Sequence, residues 1–255
     1  MNASIEKSLF SQIEIDHGPA GLLGRALLKA EAATRSRGIS LTFAPMHELV
    51  RINDVNRDTW VPLFTGFDPA FNALSPQNSF CILGRDSHGE VVATQAARLY
   101  DWPRSDYWRE AESLRLLYDD PQRHRLNGER CEVSALAAKG IRGRVLYSGG
   151  AWYHPRHRGR GLVEILPRMA RAIAYTRWKT DCTVTMMSEQ NVRKGVFPRN
   201  GYRNIEWDVK LIGTRSGTIR FALLWLKSNE MLEDLETFLG SFELEVGARK
   251  LVANT

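Results

Sequence analysis

Between Val145 and Met187 the chain spells out a strand, a glycine-bearing turn, a long helix and a second strand, and little else is compatible with that order. Val145 to Tyr153 is strand-like although it contains Gly149-Gly150. Leu162 to Trp178 carries the helical apolar spacing, and Thr183 to Met187 is strand-like again. Between the first strand and the helix lies Tyr153-His154-Pro155-Arg156-His157-Arg158-Gly159-Arg160-Gly161-Leu162. Glycines there let backbone N–H groups approach an anion, and the helix start adds unpaired donors and partial positive charge. Arg156, Arg158 and Arg160 deepen that potential, so the segment predicts a phosphate-binding turn. It is not a Walker loop, which needs Gly-Lys-Ser/Thr where this chain has Arg160-Gly161-Leu162, and it lacks the third glycine of the dinucleotide fingerprint. The alternative is a tight turn whose arginines are merely solvated.

The flanking sequence predicts an α+β fold with helical ends. Leu22, Leu23, Ala26, Leu27, Ala30 and Ala33 have helical spacing, with Gly38 as a stop. Ile39 to Phe43 alternates as a strand, and a helix over His47 to Trp60 follows Pro45. Phe80 to Leu83 and Val91 to Tyr100 form a hairpin across Asp86-Ser87-His88-Gly89. Ser105 is placed to cap a helix from Tyr107 to Tyr118 that Pro121 ends, and residues 121–144 read as a basic connector. Asn191 to Asn200 is a short helix. Ile205, Trp207, Val209 and Leu211 alternate with Glu206, Asp208 and Lys210, and Thr218 to Leu226 pairs with that strand. Ser228 begins a last helix with Met231, Leu232, Leu235, Phe238 and Leu239 on one face and Gly240 as its end.

Composition excludes several classes. At 255 residues, 43% hydrophobic and 25% charged, the chain is neither a disulfide-stapled peptide nor disordered. No stretch nears the ~20 apolar residues of a membrane span, and Met1 to Phe10 has no secretory pattern, so the cytoplasm is the expected compartment. Cys81, Cys131 and Cys182 read as buried small hydrophobes. The scattered His17, His47, His88 and His124 give no metal spacing, and no metal is expected. Trp178, Trp207 and Trp225 read as core or interface. A net charge of +6 allows an anionic ligand, but no nucleic-acid module accompanies the basic connector.

From Val145 to Tyr202 the chain resembles the GNAT (N-acetyltransferase) superfamily, in a bacterial-type form. There a strand and Pro-containing turn meet Arg/Gln-x-x-Gly-x-Gly/Ala and a long helix. A strand, an Asn-bearing helix and a Gly-aromatic pair come next, here Asn191, Phe197 and Gly201-Tyr202. A looser match of element order reaches back to Ile39. The resemblance implies a three-layer α/β arrangement with a central mixed, mostly antiparallel sheet flanked by helices. It implies one domain over 1–255: a core at about 39–227, an N-terminal extension 1–38, an insertion at about 101–144 and a C-terminal helix 228–240.

It also implies acyl-coenzyme-A-dependent transfer, acetyl by default, to a small-molecule or peptide amine. Amides around Arg158 to Leu162 would hold the coenzyme-A pyrophosphate, helped by Arg156 and Arg158. The edge at Trp152, Tyr153 and His154 would pair with pantetheine, which Asn191 would also reach. His157, Arg160 and Phe197 complete the expected cofactor set. The acyl group would sit between the strands of Tyr153 and Met187. The chain departs from the pattern at Phe197, where members often carry a Tyr general acid, and at Gly149-Gly150, where some place a carboxylate base. Glu189 as base and Tyr153 or Tyr202 as donor are the candidates to fill those roles; packing or a solvated charge is the plainer reading of each. A coenzyme-A binder without turnover and an enzyme like the acyl-homoserine-lactone synthases are the alternatives, the latter without its Arg- and Asp-rich N-terminal signature. A homodimer is left open by the sequence.

Overall fold

The computed structural model describes residues 9–214 and 217–253, from 242 onward as backbone alone. A 3-10 turn at Leu9–Gln12 leads to α1 (Ala20–Arg35), β1 (Ser40–Ala44) and α2 (Met46–Val55). The hairpin of β2 (Ser79–Arg85) and β3 (Val91–Trp102) follows, then α3 (Tyr107–Glu112), α4 (Gln122–Leu126) and β4 (Arg130–Val133). Next come β5 (Gly143–Tyr153), α5 (Leu162–Trp178), β6 (Cys182–Ser188), α6 (Glu189–Arg193) and α7 (Val196–Arg199). The chain closes with β7 (Asn204–Thr214), β8 (Gly217–Lys227) and α8 (Ser228–Ala253).

All eight strands share one sheet in the order β1-β2-β3-β5-β6-β8-β7-β4. Neighbours are antiparallel except β5 and β6, which α5 connects as a parallel pair. The fold is therefore the α+β class expected: a mixed, mostly antiparallel sheet between helical layers. One face buries the Leu/Ala stripe of α1 against α5 and α8, the alanines letting the helices approach closely. The other face is richer in aromatics, with Trp60, Phe67, Tyr100, Tyr107, Tyr147 and Trp152 beneath α2, α3 and the connecting loops. Trp178 lies in the core as expected, while Trp207 and Trp225 are half-buried. The β2–β3 turn is locked by the Asp86 carboxylate, which accepts from the His88 and Glu90 amides. Among the described residues no helix is long and apolar enough to cross a membrane.

Several boundaries depart from the sequence-based expectations for local reasons. The α2 helix stops at Val55 rather than Trp60, because Trp60 leaves the helix to stack on Trp152 at 5.6 Å. The α3 helix is capped by Asp106, which accepts from the Arg109 amide, and not by Ser105. It ends at Glu112, with Leu114 at φ 62° reversing the chain well before Pro121. The 121–144 stretch is more than a connector: β4 pairs with β7 through Val133↔Val209, burying Cys131 and Val133 and turning Arg130 outward. Gly195, at φ 69°, divides the expected 191–200 helix into α6 and α7. Gly240 does not end α8, since it lacks the left-handed conformation a glycine stop uses.

Candidate functional site

The parallel ladder of β5 and β6 has only three pairs: Val145↔Cys182, Leu146↔Thr183 and Tyr147↔Val184. Beyond Tyr147 the strands diverge, β6 staying with β8 as far as Ser188 and β5 staying with β3. The cause is a bulge in β5. Gly149 pairs with Ala96 and Trp152 with Thr94, leaving Gly150 and Ala151 opposite the single Gln95. Gly150 adopts φ 57°, and a Cβ on Gly149 would come within 3.0 Å of the Phe67 ring. Gly150 thus suits the backbone path, and Gly149 leaves room for the Phe67 ring. From β3, Thr94 Oγ1 donates to the Gly150 carbonyl at 2.7 Å, and Gln95 Nε2 donates to Ser148 Oγ and the Gly149 carbonyl at 3.1 Å each. At the apex the Met186 amide donates to Tyr147 Oη. The result is a wedge-shaped opening with the unpaired edge of Ser148–Tyr153 along one side.

The wide end of the wedge leads into the loop. The His154 amide extends the β3 ladder by donating to the Val92 carbonyl, and His154 Nδ1 accepts from the Arg156 amide. Pro155–His157 makes one 3-10 turn, after which Gly159 (φ 75°) and Gly161 (φ 74°) pass through the left-handed region into α5. Among the described residues the amides of Gly159, Arg160 and Gly161 donate to no protein acceptor. A Cβ at Gly159 would meet nothing within 4 Å. A row of free amides on an open turn at a helix N-terminus fits a pyrophosphate.

The three loop arginines have separate environments. Arg158 donates to the Tyr153 carbonyl and, across to the α2 exit, to the Thr59 carbonyl, both at 3.0 Å. Trp152 Nε1 donates to Thr59 Oγ1, so Trp152 and Arg158 together tie the loop to that segment. Arg156 faces Glu90 at 3.8 Å on the surface, and Arg160 is exposed. A fourth cation, Arg37 from the end of α1, was not among the candidates. Its Nε donates to the Arg160 carbonyl at 2.6 Å, and its Nη2 lies 3.4 Å from where a Cβ on Gly161 would be. An Arg next to a helix-ending Gly is an ordinary C-terminal cation in sequence; only the packing of α1 on α5 reveals it.

Leu162 is buried, and Tyr153 Oη donates to its carbonyl at 3.3 Å, so Tyr153 lies at the glycine-bearing loop. Burial pushes the Tyr153 phenol far above its usual range. Glu189 opens α6 on the opposite lip of the wedge and pairs with Arg193. Asn191 is exposed on α6, and Phe197 is half-buried on α7 against the α5-side core. Tyr202 is buried beneath the sheet, its neighbours including Ser148 and Arg171, and burial pushes its phenol up to about 12. Both phenols stay protonated at neutral pH and can donate but not act as bases. Tyr153 meets Leu162, Glu189 opens α6 and Tyr202 is buried against Arg171, so no hydrogen bond links the three among the described residues.

The Gly201-Tyr202 pair is held by a buried ion cluster. Asp234 of α8 accepts from Arg168 Nε and Nη2 at 2.8 and 2.9 Å, and Arg171 Nη2 lies 3.5 Å from the same carboxylate. The arginines also donate to the Arg199 and Asn200 carbonyls, terminating α7. Gly201 runs over this cluster at φ 84°, where a Cβ would come within 2.4 Å of Asp234 Oδ2. Glycine is therefore obligatory there for packing, and Tyr202 follows it into the core.

No family model matches the chain, and no curated protein matches it in sequence. Solved structures with a similar fold include an acetyltransferase of the GNAT family from Streptococcus pneumoniae, at 11% identity, TM-score 0.43, covering 74% of this chain and 98% of that one. The spermidine/spermine N-acetyltransferase SpeG from Vibrio cholerae is similar at 8% identity and TM-score 0.46, over 77% and 98% of the two chains. NAA60 of Arabidopsis thaliana, solved in complex with acetyl-CoA, is similar at 13% identity and TM-score 0.45, over 74% and 99%.

Proposed function

We propose that the chain is an acyl-coenzyme-A-dependent N-acyltransferase, with acetyl as the default acyl group and a small-molecule or peptide amine as acceptor. The observation that carries this reading is the wedge between β5 and β6, which opens directly onto the free amides of Gly159, Arg160 and Gly161. In this reading those amides hold the pyrophosphate, and the edge of Ser148–Tyr153 that β6 leaves uncovered pairs with the pantetheine amides. The wedge then encloses the thioester and keeps water from it.

The thioester supplies the acyl group, and a thiol of pKa ~8.5 leaves with little assistance. The protein's part is to position a neutral amine against the carbonyl, to offer an N–H to the oxygen that gains charge, and to move one proton. Tyr202 and Tyr153 can only donate a proton in their present environments. Tyr202 sits beside Ser148, next to the bulge, whereas Tyr153 donates its hydrogen bond to the Leu162 carbonyl. Tyr202 is thus the better-placed donor. Glu189, half-buried on the far lip and paired with Arg193, is the carboxylate we assign to take a proton from the amine, directly or through water.

We place the protein in the cytoplasm and treat 1–255 as one acyltransferase unit with helical extensions. The second reading, coenzyme-A binding without turnover, is favoured by one observation: Phe197 brings no hydroxyl and the other candidate groups are dispersed. Calorimetric titration with coenzyme A tests the site. Release of free thiol from acetyl-coenzyme A across an amine panel then separates enzyme from binder, and no heat of binding would overturn both.

A further inference from the structure

On the α1 side of the loop, away from the wedge, a cavity of roughly 320 Å³ lies between the end of α1, the β2–β3 turn and residues 154–160. Its walls carry Arg37, Arg156 and Arg160, together with His88, His154 and His157. Two acidic residues, Asp86 and Glu90, also line it. The three arginines outnumber them, so the lining keeps a formal excess of positive charge. Asp86 accepts the two amides that lock the β2–β3 turn, and Glu90 faces Arg156 at 3.8 Å.

Of the three arginines only Arg156 faces a carboxylate among the described residues. Arg37 spends two of its nitrogens on the carbonyls of Arg160 and Ala33, and these neutralise no charge. Arg160 pairs with no carboxylate among the described residues. The Nδ1 atom of His157 is buried without a hydrogen-bond partner. Burial, then the neighbouring Arg160 charge, holds the His157 imidazole below its usual range, as a locally positive field should. Two guanidinium groups and an unpartnered imidazole nitrogen in one concavity are a recognition set for a phosphate monoester.

We propose that this cavity seats the 3′-phosphate of coenzyme A, bound by Arg37 and Arg160 with His157 beside them. The inference rests on the coenzyme-A reading of the loop and adds to it a residue from the N-terminal extension. Arg37 reaches both places, since its guanidinium touches the start of α5 and lines the cavity. The N-terminal helix is then part of the cofactor site and not an accessory.

Calorimetry on the full chain tests this by comparing coenzyme A with 3′-dephospho-coenzyme A, for the wild type, Arg37→Ala and Arg160→Ala. The wild type should bind coenzyme A about 10- to 100-fold more tightly than the dephospho form, the range expected for hydrogen bonds to a charged group. Each variant should lose about tenfold for coenzyme A while its affinity for the dephospho form stays within about twofold. Arg160→Ala removes no protein hydrogen bond made by the side chain, so it remains informative if Arg37→Ala disturbs the loop. Equal wild-type affinity for the two ligands, or an equal loss for both in Arg160→Ala, overturns the proposal. Failure of both ligands to bind the wild type overturns the coenzyme-A reading itself, and the proposal with it.

Discussion

The phenol of Tyr147 accepts a 3.3 Å hydrogen bond from the Met186 amide at the point where β5 and β6 part. A side chain on one strand thus satisfies the first amide that the other strand can no longer pair. Tyr147 is held for this by Phe64, stacked on it at 4.1 Å. Tyr147→Phe keeps the stack and leaves the amide unpartnered, at a cost of about 1–3 kcal/mol. Differential scanning calorimetry should show a melting temperature lowered by several degrees. An unchanged melting temperature would mean that the apex needs no wedge.

Gly159→Val tests the loop. The site is open, so an added Cβ meets no protein atom within 4 Å, but φ 75° disfavours a β-branched residue by about 1–2 kcal/mol. The loop should rearrange and coenzyme-A affinity fall more than about tenfold, while the melting temperature drops only slightly. Unchanged affinity in calorimetry would place the pyrophosphate elsewhere.

The thiols give a clean background for a thiol-release assay. Cys131 and Cys182 are buried free cysteines whose thiols burial pushes up to about 12, and Cys81 is pushed higher still. Ellman's reagent at pH 8 should therefore find no reactive thiol in the folded protein and three after guanidinium unfolding. Rapid labelling of the native state would contradict the packing of β2, β4 and β6.

Alkaline stability follows from Tyr202. Its folded-state pKa, about 12, is above the ordinary value of 10.0, so folding favours the protonated phenol. The resulting stability is fully present below pH 10 and is lost as the pH rises towards 12. Tyr202→Phe removes that ionisation, so its stability should fall less steeply than that of the wild type over this interval. Parallel slopes in denaturant titrations would show the phenol is not shielded.

Phe197→Tyr asks whether a donor is missing. A positioned proton donor typically contributes ~10²-fold, so the rate should rise by up to that factor once an acceptor is in hand. A flat rate would show that Tyr202 or another group already serves.

The strand–turn–helix–strand at the centre was legible because its cues are local: alternation, two glycines and a helical stripe in the right order. The hairpins were legible for the same reason. The bulge was not, since Gly149-Gly150 looks like an absence of chemistry until Gln95 and Thr94 are seen to clasp it from β3. Arg37 and the Asp234 cluster depend on helices that pack across the sheet, and no spacing in one segment announces them. The edge strand β4 was hidden because it is only four residues long, with Arg130 and Glu132 exposed and only Cys131 and Val133 buried.

That edge strand lies between β3 and β5 in the chain but at the opposite end of the sheet, so the polypeptide crosses one face twice to place it. Its partner β7 is made some 70 residues later, after the loop, α5 and β6 have been laid down. A closure over so long a span costs entropy that only a finished β7–β8 hairpin can repay. The strap over the aromatic face is thus among the last parts to lock and, with a short four-residue ladder, among the first to open. Amides of Arg130–Val133 should exchange with solvent before those of β5, so that the face opposite α5 breathes while the loop before α5 keeps its shape.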